Sequence, residues 1–183
     1  MNAARHAVAA DVLAAAREHD ASQSERLARF RNVEPETAEL LGVLVRAARA
    51  ERVLELGTSN GYSTIWLADA AEATGGRVVS VDIDAERITL ARDNLERAGL
   101  DADLRVADAA EALAQSSSGT CDLVFLDAER GAYVGYWPDL EGLRQNWHRA
   151  AQWLPTMDPQ IRTIEYGNWR RAVERTFDWT RPS

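Results

Sequence analysis

Three observations predict a doubly wound α/β fold for this 183-residue chain. From residue 52 onward, short β-branched apolar runs alternate with longer segments of helical periodicity. Each run closes on a glycine or an acid, the usual punctuation at the end of a parallel strand. The hydrophobic fraction of 46% is enough for one buried core. Strands separated in this way by helices pair in parallel through right-handed crossovers, because a right-twisted strand and a right-handed helix pack back onto the sheet in that sense.

The elements follow in order. Residues 3–18 are Ala-rich and read as a helix. Pro35, whose fixed φ suits a first helical turn, opens a second helix in which Leu40, Leu41, Leu44 and Val45 recur at helical spacing. Together they form a helical cap over residues 1–50. The core, residues 51–140, begins with strand RVLEL and a helix from Tyr62 to Ala73. After the Gly75-Gly76 break come strand RVVSVD, helix AERITLARDNLERA closed by Gly99, strand DLRVA, the short helix AAEALAQ, the linker SSSGT and strand DLVFLD. Beyond GYWPDL, residues 135–140, the alternation stops. Residues 141–183 hold four of the six tryptophans and no apolar run longer than two, and they carry 7 Arg against 5 acids where residues 1–140 carry 14 against 24. The net charge thus moves from -10 to +2. The whole is read as a single structural domain with an atypical tail.

Composition narrows the function. A net charge of -8 argues against nucleic acid and anionic membrane as partners, since both call for a basic face, and favours a small molecule carrying positive charge. The single cysteine, Cys121, lies in an apolar run and reads as a structural thiol. The N-terminal stretch is interrupted by Arg5, Asp11 and Arg17, so it lacks the apolar core of a signal peptide, and no segment approaches membrane-spanning length. A cytoplasmic location is expected. There is no lysine, which excludes Schiff-base and P-loop lysine chemistry; a coding bias toward GC-rich codons accounts for it.

In an open parallel sheet the ligand lies across the carboxyl ends of the strands, and here four strands end in acids: Glu55, Asp82, Asp108 and Asp127. Singly, each has a plain alternative, such as satisfying loop amides or capping the next helix. Four in the same position point to a site. The first turn, Gly57-Thr58-Ser59-Asn60-Gly61, matches neither the dinucleotide nor the P-loop fingerprint. Gly57 is read as letting the backbone approach a ligand and Gly61 as letting the helix start close to the strand. Ser63 and Thr64 offer hydroxyls at a helix N-terminus suited to a carboxylate. Asp82, 25 residues beyond Gly57, is placed to accept from two ribose hydroxyls. A ligand with an adenosine, a carboxylate and a positive charge facing Glu55 meets these requirements, and S-adenosylmethionine is one.

The motifs VLELGTSNGYSTIWLA, VVSVDIDAERITLARDNLERAGL, VADAAEAL and DLVFLDAERGAYVGYW, in this order over about residues 30–140, resemble those of class I S-adenosylmethionine-dependent O-methyltransferases, in the bacterial branch similar to catechol and caffeoyl-CoA O-methyltransferases. The resemblance implies a Rossmann-like three-layer α/β/α fold and methyl transfer to a hydroxyl of a small catechol- or phenol-like acceptor. It implies that Glu55 and Gly57 lie against the methionine part of the cofactor, that Ser63 meets its carboxylate, and that Thr58, Ser59 and Gly61 also belong to the cofactor site. Asp82 would hold the ribose, Ile83 would pack on the adenine, and Asp108 and Ala109 would flank the adenine edge. Asp127 would lie at the cofactor and supply the first of three ligands to a divalent cation such as Mg, which lowers the pKa of the attacking hydroxyl.

Two departures accompany the resemblance. Arg130 stands where catechol-type members carry a general-base lysine; always protonated, it can stabilise a phenolate but takes no proton. The tail shows no Pro-Gly-Gly turn and no Asp-Asn strand end, so only Asp127 of the three metal ligands is matched, and strands after the fourth are missing. Asp158 and Asp178 end no strand-like run, and His148 reads as an exposed helix residue. Two rivals follow: a truncated or frame-shifted derivative that only binds S-adenosylmethionine, its tail an out-of-frame reading, and a nicotinamide-dependent oxidoreductase. The tail is expected to be helical or irregular and to add no strand. That would leave DLVFLD as a sheet edge prone to homodimer pairing.

Overall fold

The computed structural model describes residues 1–116 and 119–128. The chain divides into two units, Met1–Asn146 and Trp147–Ser183, and every described residue belongs to the first. Arg130 and all expectations for the tail fall outside the described residues. The elements are α1 (Ala3–Ser22), a 3-10 turn (Arg26–Ala28), α2 (Pro35–Ala48), β1 (Arg52–Leu56), α3 (Tyr62–Thr74), β2 (Arg77–Asp82), α4 (Ala85–Ala98), β3 (Asp103–Val106), α5 (Ala109–Gln115) and β4 (Leu123–Leu126).

Local sequence explains most boundaries. Asn2 caps α1 by accepting from the Arg5 N–H at 2.9 Å. The helix runs four residues past the expected end at residue 18, because Glu18 to Ser22 contain neither glycine nor proline to stop it. Asp84 caps α4 through the N–H groups of Glu86 and Arg87, and Gly99 closes it. β3 is one residue shorter than its apolar run.

All strands are parallel and lie in the order β3-β2-β1-β4. The order reverses between β1 and β4, so the switch point falls at their carboxyl ends. Register sets the faces. Val53 and Glu55 lie beside Val78 and Ser80 on one side and beside Leu123 and Phe125 on the other. That face packs on the larger core, in which α3 supplies Ile65 and Leu67, both fully buried. Each such side chain contributes about 1.5–3 kcal/mol on burial. α2 packs on α3, and α1 on α3 and α4, so the N-terminal helices share this core. Asp69 of α3 ties them down electrostatically, pairing with Arg5, Arg46 and the N-terminal ammonium. The opposite face carries Leu54, Leu56 and Val81, with α5 and Cys121 packed against them. Cys121 is a free, half-buried thiol in that cluster.

Candidate cofactor site at the strand ends

A cavity of about 660 Å³ opens at the carboxyl ends of the four strands. Gly57, Ser59 and Ser63 line it from the first turn, and Asp82, Ile83 and Asp84 from the end of β2. Ala107, Asp108 and Ala109 follow β3, and Leu126, Asp127 and Ala128 close β4. Eight residues singled out in the sequence therefore converge: Gly57, Ser59, Ser63, Asp82, Ile83, Asp108, Ala109 and Asp127. Glu55, Thr58 and Gly61 do not line it.

Packing accounts for two of the glycines. Gly57 has φ +107°, and a Cβ there would lie 2.7 Å from the carbonyl carbon and oxygen of Asp127. The close crossing of the first turn and the end of β4 by itself requires glycine there. Gly61 has φ +83°, and its Cβ would meet Ala91 of α4 at 2.9 Å. It lets α3 start against α4 rather than against a strand.

Glu55 is fully buried behind the cavity wall. Ser63 Oγ donates to Oε1 at 2.5 Å, while Thr64 Oγ1 and Ser80 Oγ donate to Oε2 at 2.5 and 2.6 Å. Thr58 Oγ1 lies 2.6 Å from Ser80 Oγ and extends the cluster. Burial pushes the Glu55 carboxyl up to about 7; the three hydroxyl bonds oppose the rise, and the Asp127 charge adds to it. Ser63 and Thr64, expected to offer hydroxyls to a ligand carboxylate, donate to Glu55 in this structure. Ser63 still faces the cavity with its lone pairs.

Asp82 Oδ2 accepts from Ser59 N–H at 2.8 Å and Oδ1 from Asp84 N–H at 3.0 Å. These bonds fix the carboxylate at the cavity wall, and each oxygen keeps a further acceptor direction. Helix capping, the plain alternative for Asp82, falls to Asp84. For Asp108 the plain role is real: its Oδ1 accepts from the Ala110 and Glu111 N–H groups and caps α5. Ile83 is 73% exposed at the cavity mouth, an apolar surface available to a flat ring. Asp127 donates its N–H to Leu56 O at 2.8 Å, which holds the end of β4 beside β1.

The sequence reading missed the connection between α1 and α2. Arg26, Leu27, Phe30, Arg31, Asn32 and Val33 line the cavity. Asn32 Nδ2 is buried with no hydrogen-bond partner among the described residues. A buried amide without an acceptor is costly, and one at a cavity wall suits a carboxylate or carbonyl ligand. No motif announces it, because the segment reads only as a polar linker.

The family model for O-methyltransferases matches residues 5–146. The chain belongs to the O-methyltransferase family. The match begins inside α1, so the two N-terminal helices are part of the family pattern, and the nicotinamide-dependent alternative falls. A catechol O-methyltransferase of Mycobacterium tuberculosis is 39% identical over 119 residues, which is 64% of this chain and 52% of that protein. An O-methyltransferase of Bacillus cereus, solved in complex with SAH, superposes with a TM-score of 0.59 at 28% identity, over 81% of this chain and 63% of that one. The chain spans about half the length of the catechol O-methyltransferases it matches. A different similarity accompanies these: glycerol kinase 2 of Streptomyces coelicolor is 53% identical over 49 residues, 27% of this chain and 10% of that protein.

Among the described residues no group of three or more His, Cys, Asp or Glu side chains could hold a metal ion. No described helix is long and apolar enough to cross a membrane.

Proposed function

We propose that the cavity binds S-adenosylmethionine and that the chain serves methyl transfer from it to a hydroxyl of a small, catechol- or phenol-like acceptor. The observation that carries this reading is the convergence of the motif residues of an O-methyltransferase on one cavity at the switch point of the sheet. Asp82 accepts from the ribose hydroxyls, Ile83 packs on the adenine, and Asp108 and Ala109 flank its edge. Gly57, Ser59 and Ser63 lie along the methionine part. Asn32, which has a free donor, takes the carboxylate role first given to Ser63. Glu55 and Thr58 act from behind, and Gly61 sets the start of α3. The bound cofactor supplies an electrophilic methyl group on a sulfonium. The residues of this chain orient it, and the negative charge of Asp127 favours the cation at the acceptor side. Transfer of that methyl group to an acceptor oxygen would need chiefly positioning, which these residues would supply. Arg130 is assigned to stabilising the phenolate. A cytoplasmic location and a small-molecule acceptor without nucleic acid or membrane belong to the same proposal.

A second reading, cofactor binding without turnover, is favoured by the similarity to glycerol kinases. The methyltransferase match stops at residue 146, and the last 49 residues of the chain begin at Gly135. We infer that the 49 matched residues are this C-terminal stretch, where composition and charge change. On that placement the likeness to glycerol kinases weighs against an out-of-frame origin for the tail.

Calorimetric titration with S-adenosylmethionine, S-adenosylhomocysteine and NAD tests the first reading: binding of the first two and not of NAD is expected, and failure of both adenosyl ligands overturns it. Methyl release with catechols, with and without Mg, decides between turnover and binding alone.

A further inference from the structure

The connection of residues 23–34 walls the cavity with little apolar burial: Val33 packs against the core near its end and Phe30 lies against the His19 ring. Its 3-10 turn has no buried residue, and Leu27 is 68% exposed. Polar anchors from three other elements hold it instead. Arg87 of α4 donates Nη2 to the carbonyls of Leu27 and Arg29, at 2.6 and 3.1 Å, and its guanidinium lies 5.8 Å from the centroid of the Phe30 ring. Asp20 at the end of α1 accepts from the Phe30 and Arg31 N–H groups at 2.7 and 2.9 Å. Ser59 Oγ, on the first turn of the site, donates to Phe30 O at 3.1 Å. Between the anchors Arg31 sits at φ +53°, a left-handed conformation that an arginine adopts only where its surroundings impose it. The next residue is Asn32, whose buried amide has no partner.

We propose that Arg87 is a positioning residue for cofactor binding. By clamping the carbonyls of Leu27 and Arg29 it fixes the α1–α2 connection as a cavity wall and presents Asn32 to the ligand. The inference rests on the cofactor reading above and assigns a role that reading does not contain. Arginine suits the task because one terminal nitrogen, with two N–H groups, reaches both carbonyls while the guanidinium lies near the Phe30 ring. Its target is backbone, so the clamp is independent of the side chains in the turn.

The test uses the full chain and two variants, Arg87→Leu and Arg87→Lys. S-adenosylhomocysteine affinity is read by calorimetry and backbone opening by hydrogen exchange without ligand. Arg87→Leu is expected to bind about ten-fold more weakly, with faster exchange at Phe30 and Arg31 in the ligand-free protein and unchanged exchange in β1 and α3. Arg87→Lys, which keeps the charge and N–H donors but loses the planar guanidinium, is expected to fall between that variant and the parent. Equal affinity in Arg87→Leu and the parent overturns the inference. Weaker binding with unchanged ligand-free exchange at Phe30 and Arg31 also overturns it, because Arg87 would then act by touching the ligand directly. Accelerated exchange throughout β1 and α3 overturns it too, as the sign of a purely structural role. A parent chain that binds neither adenosyl ligand overturns the cofactor reading itself, which is a distinct result.

Discussion

The inner strands β1 and β2 and the outer strands β3 and β4 bring the same kind of residue to the same edge in different states. Glu55 ends β1 fully buried in a cage of three hydroxyls, and the last four residues of that strand are all buried. β3 has no buried residue, and Val124 and Leu126 of β4 remain 44% and 38% exposed. α5, which packs against these strands, also has no buried residue. The inner half thus has its polar groups desolvated and mutually satisfied. Among the described residues the outer half is held by backbone pairing, one cap and partly buried side chains such as Leu104, Phe125 and Leu113 packed against the cores. A ligand spanning both would find its ribose and methionine subsites preorganised, and its outer contacts less so.

The strongest way to break the contrast is at the seam between the halves. Gly57→Val places a β-branched side chain at φ +107° with its Cβ 2.7 Å from the Asp127 backbone. A loss of at least about 3 kcal/mol in stability is expected, with no detectable S-adenosylhomocysteine binding. Urea denaturation and calorimetry check it. A stable variant that still binds would mean that β1 and β4 do not approach as described.

Glu55 gives the next largest effect, and its sign identifies it. Burial pushes its carboxyl up to about 7, above the ordinary 4.5. The folded state therefore holds a proton that the unfolded state has released between these values, and the stability present below about pH 4.5 is lost as pH rises through 7. The shift corresponds to roughly 3 kcal/mol. Asp20 and Asp69 run oppositely: their lowered pKa values give stability above the ordinary aspartate range that is lost as pH falls. Glu55→Gln should flatten the decline between pH 4.5 and 7 and leave the acid limb intact. A variant with the parental slope across that window would remove Glu55 as its source.

Asp82 belongs to the inner half yet faces the cavity, so it should matter for binding more than for folding. Asp82→Ala is expected to weaken S-adenosylhomocysteine binding by about 1–3 kcal/mol, the cost of leaving two ribose hydroxyls without their acceptor. Since the Ser59 and Asp84 amides also lose their partner, a smaller fall in Tm should accompany it. Unchanged affinity in an intact fold would exclude Asp82 from the site.

The same contrast explains what the sequence disclosed. Strands and helices were legible because their periodicity survives in one dimension, and Gly99 and Pro35 mark their boundaries directly. The cavity-lining acids were legible because parallel sheets put ligands at strand ends. The direction of a side chain was harder to read. Glu55 and Asp82 end neighbouring strands, yet register turns Glu55 into the core beside Ser80, and no local signal distinguishes the two. Asn32 and Arg87 were missed for a related reason: their roles depend on a contact between residues about 58 apart that no motif encodes.

The smallest expected effect tests the outer half. Asp108 Oδ1 is committed to the Ala110 and Glu111 N–H groups at 2.8 and 3.2 Å, so its first duty is to cap a seven-residue helix. Removing a cap costs about 1 kcal/mol where the helix is part of the cooperative core. α5 buries no residue, so much of that cost is dissipated in local fraying that global unfolding does not sense. Asp108→Ala should therefore lower global stability by only about 0.5 kcal/mol, while exchange at Ala110 and Glu111 accelerates markedly. Asp108→Asn, which keeps the acceptor, should leave both unchanged. A loss of about 2 kcal/mol in Asp108→Ala would mean that α5 unfolds with the core, and that the outer half is as tightly integrated as the inner one.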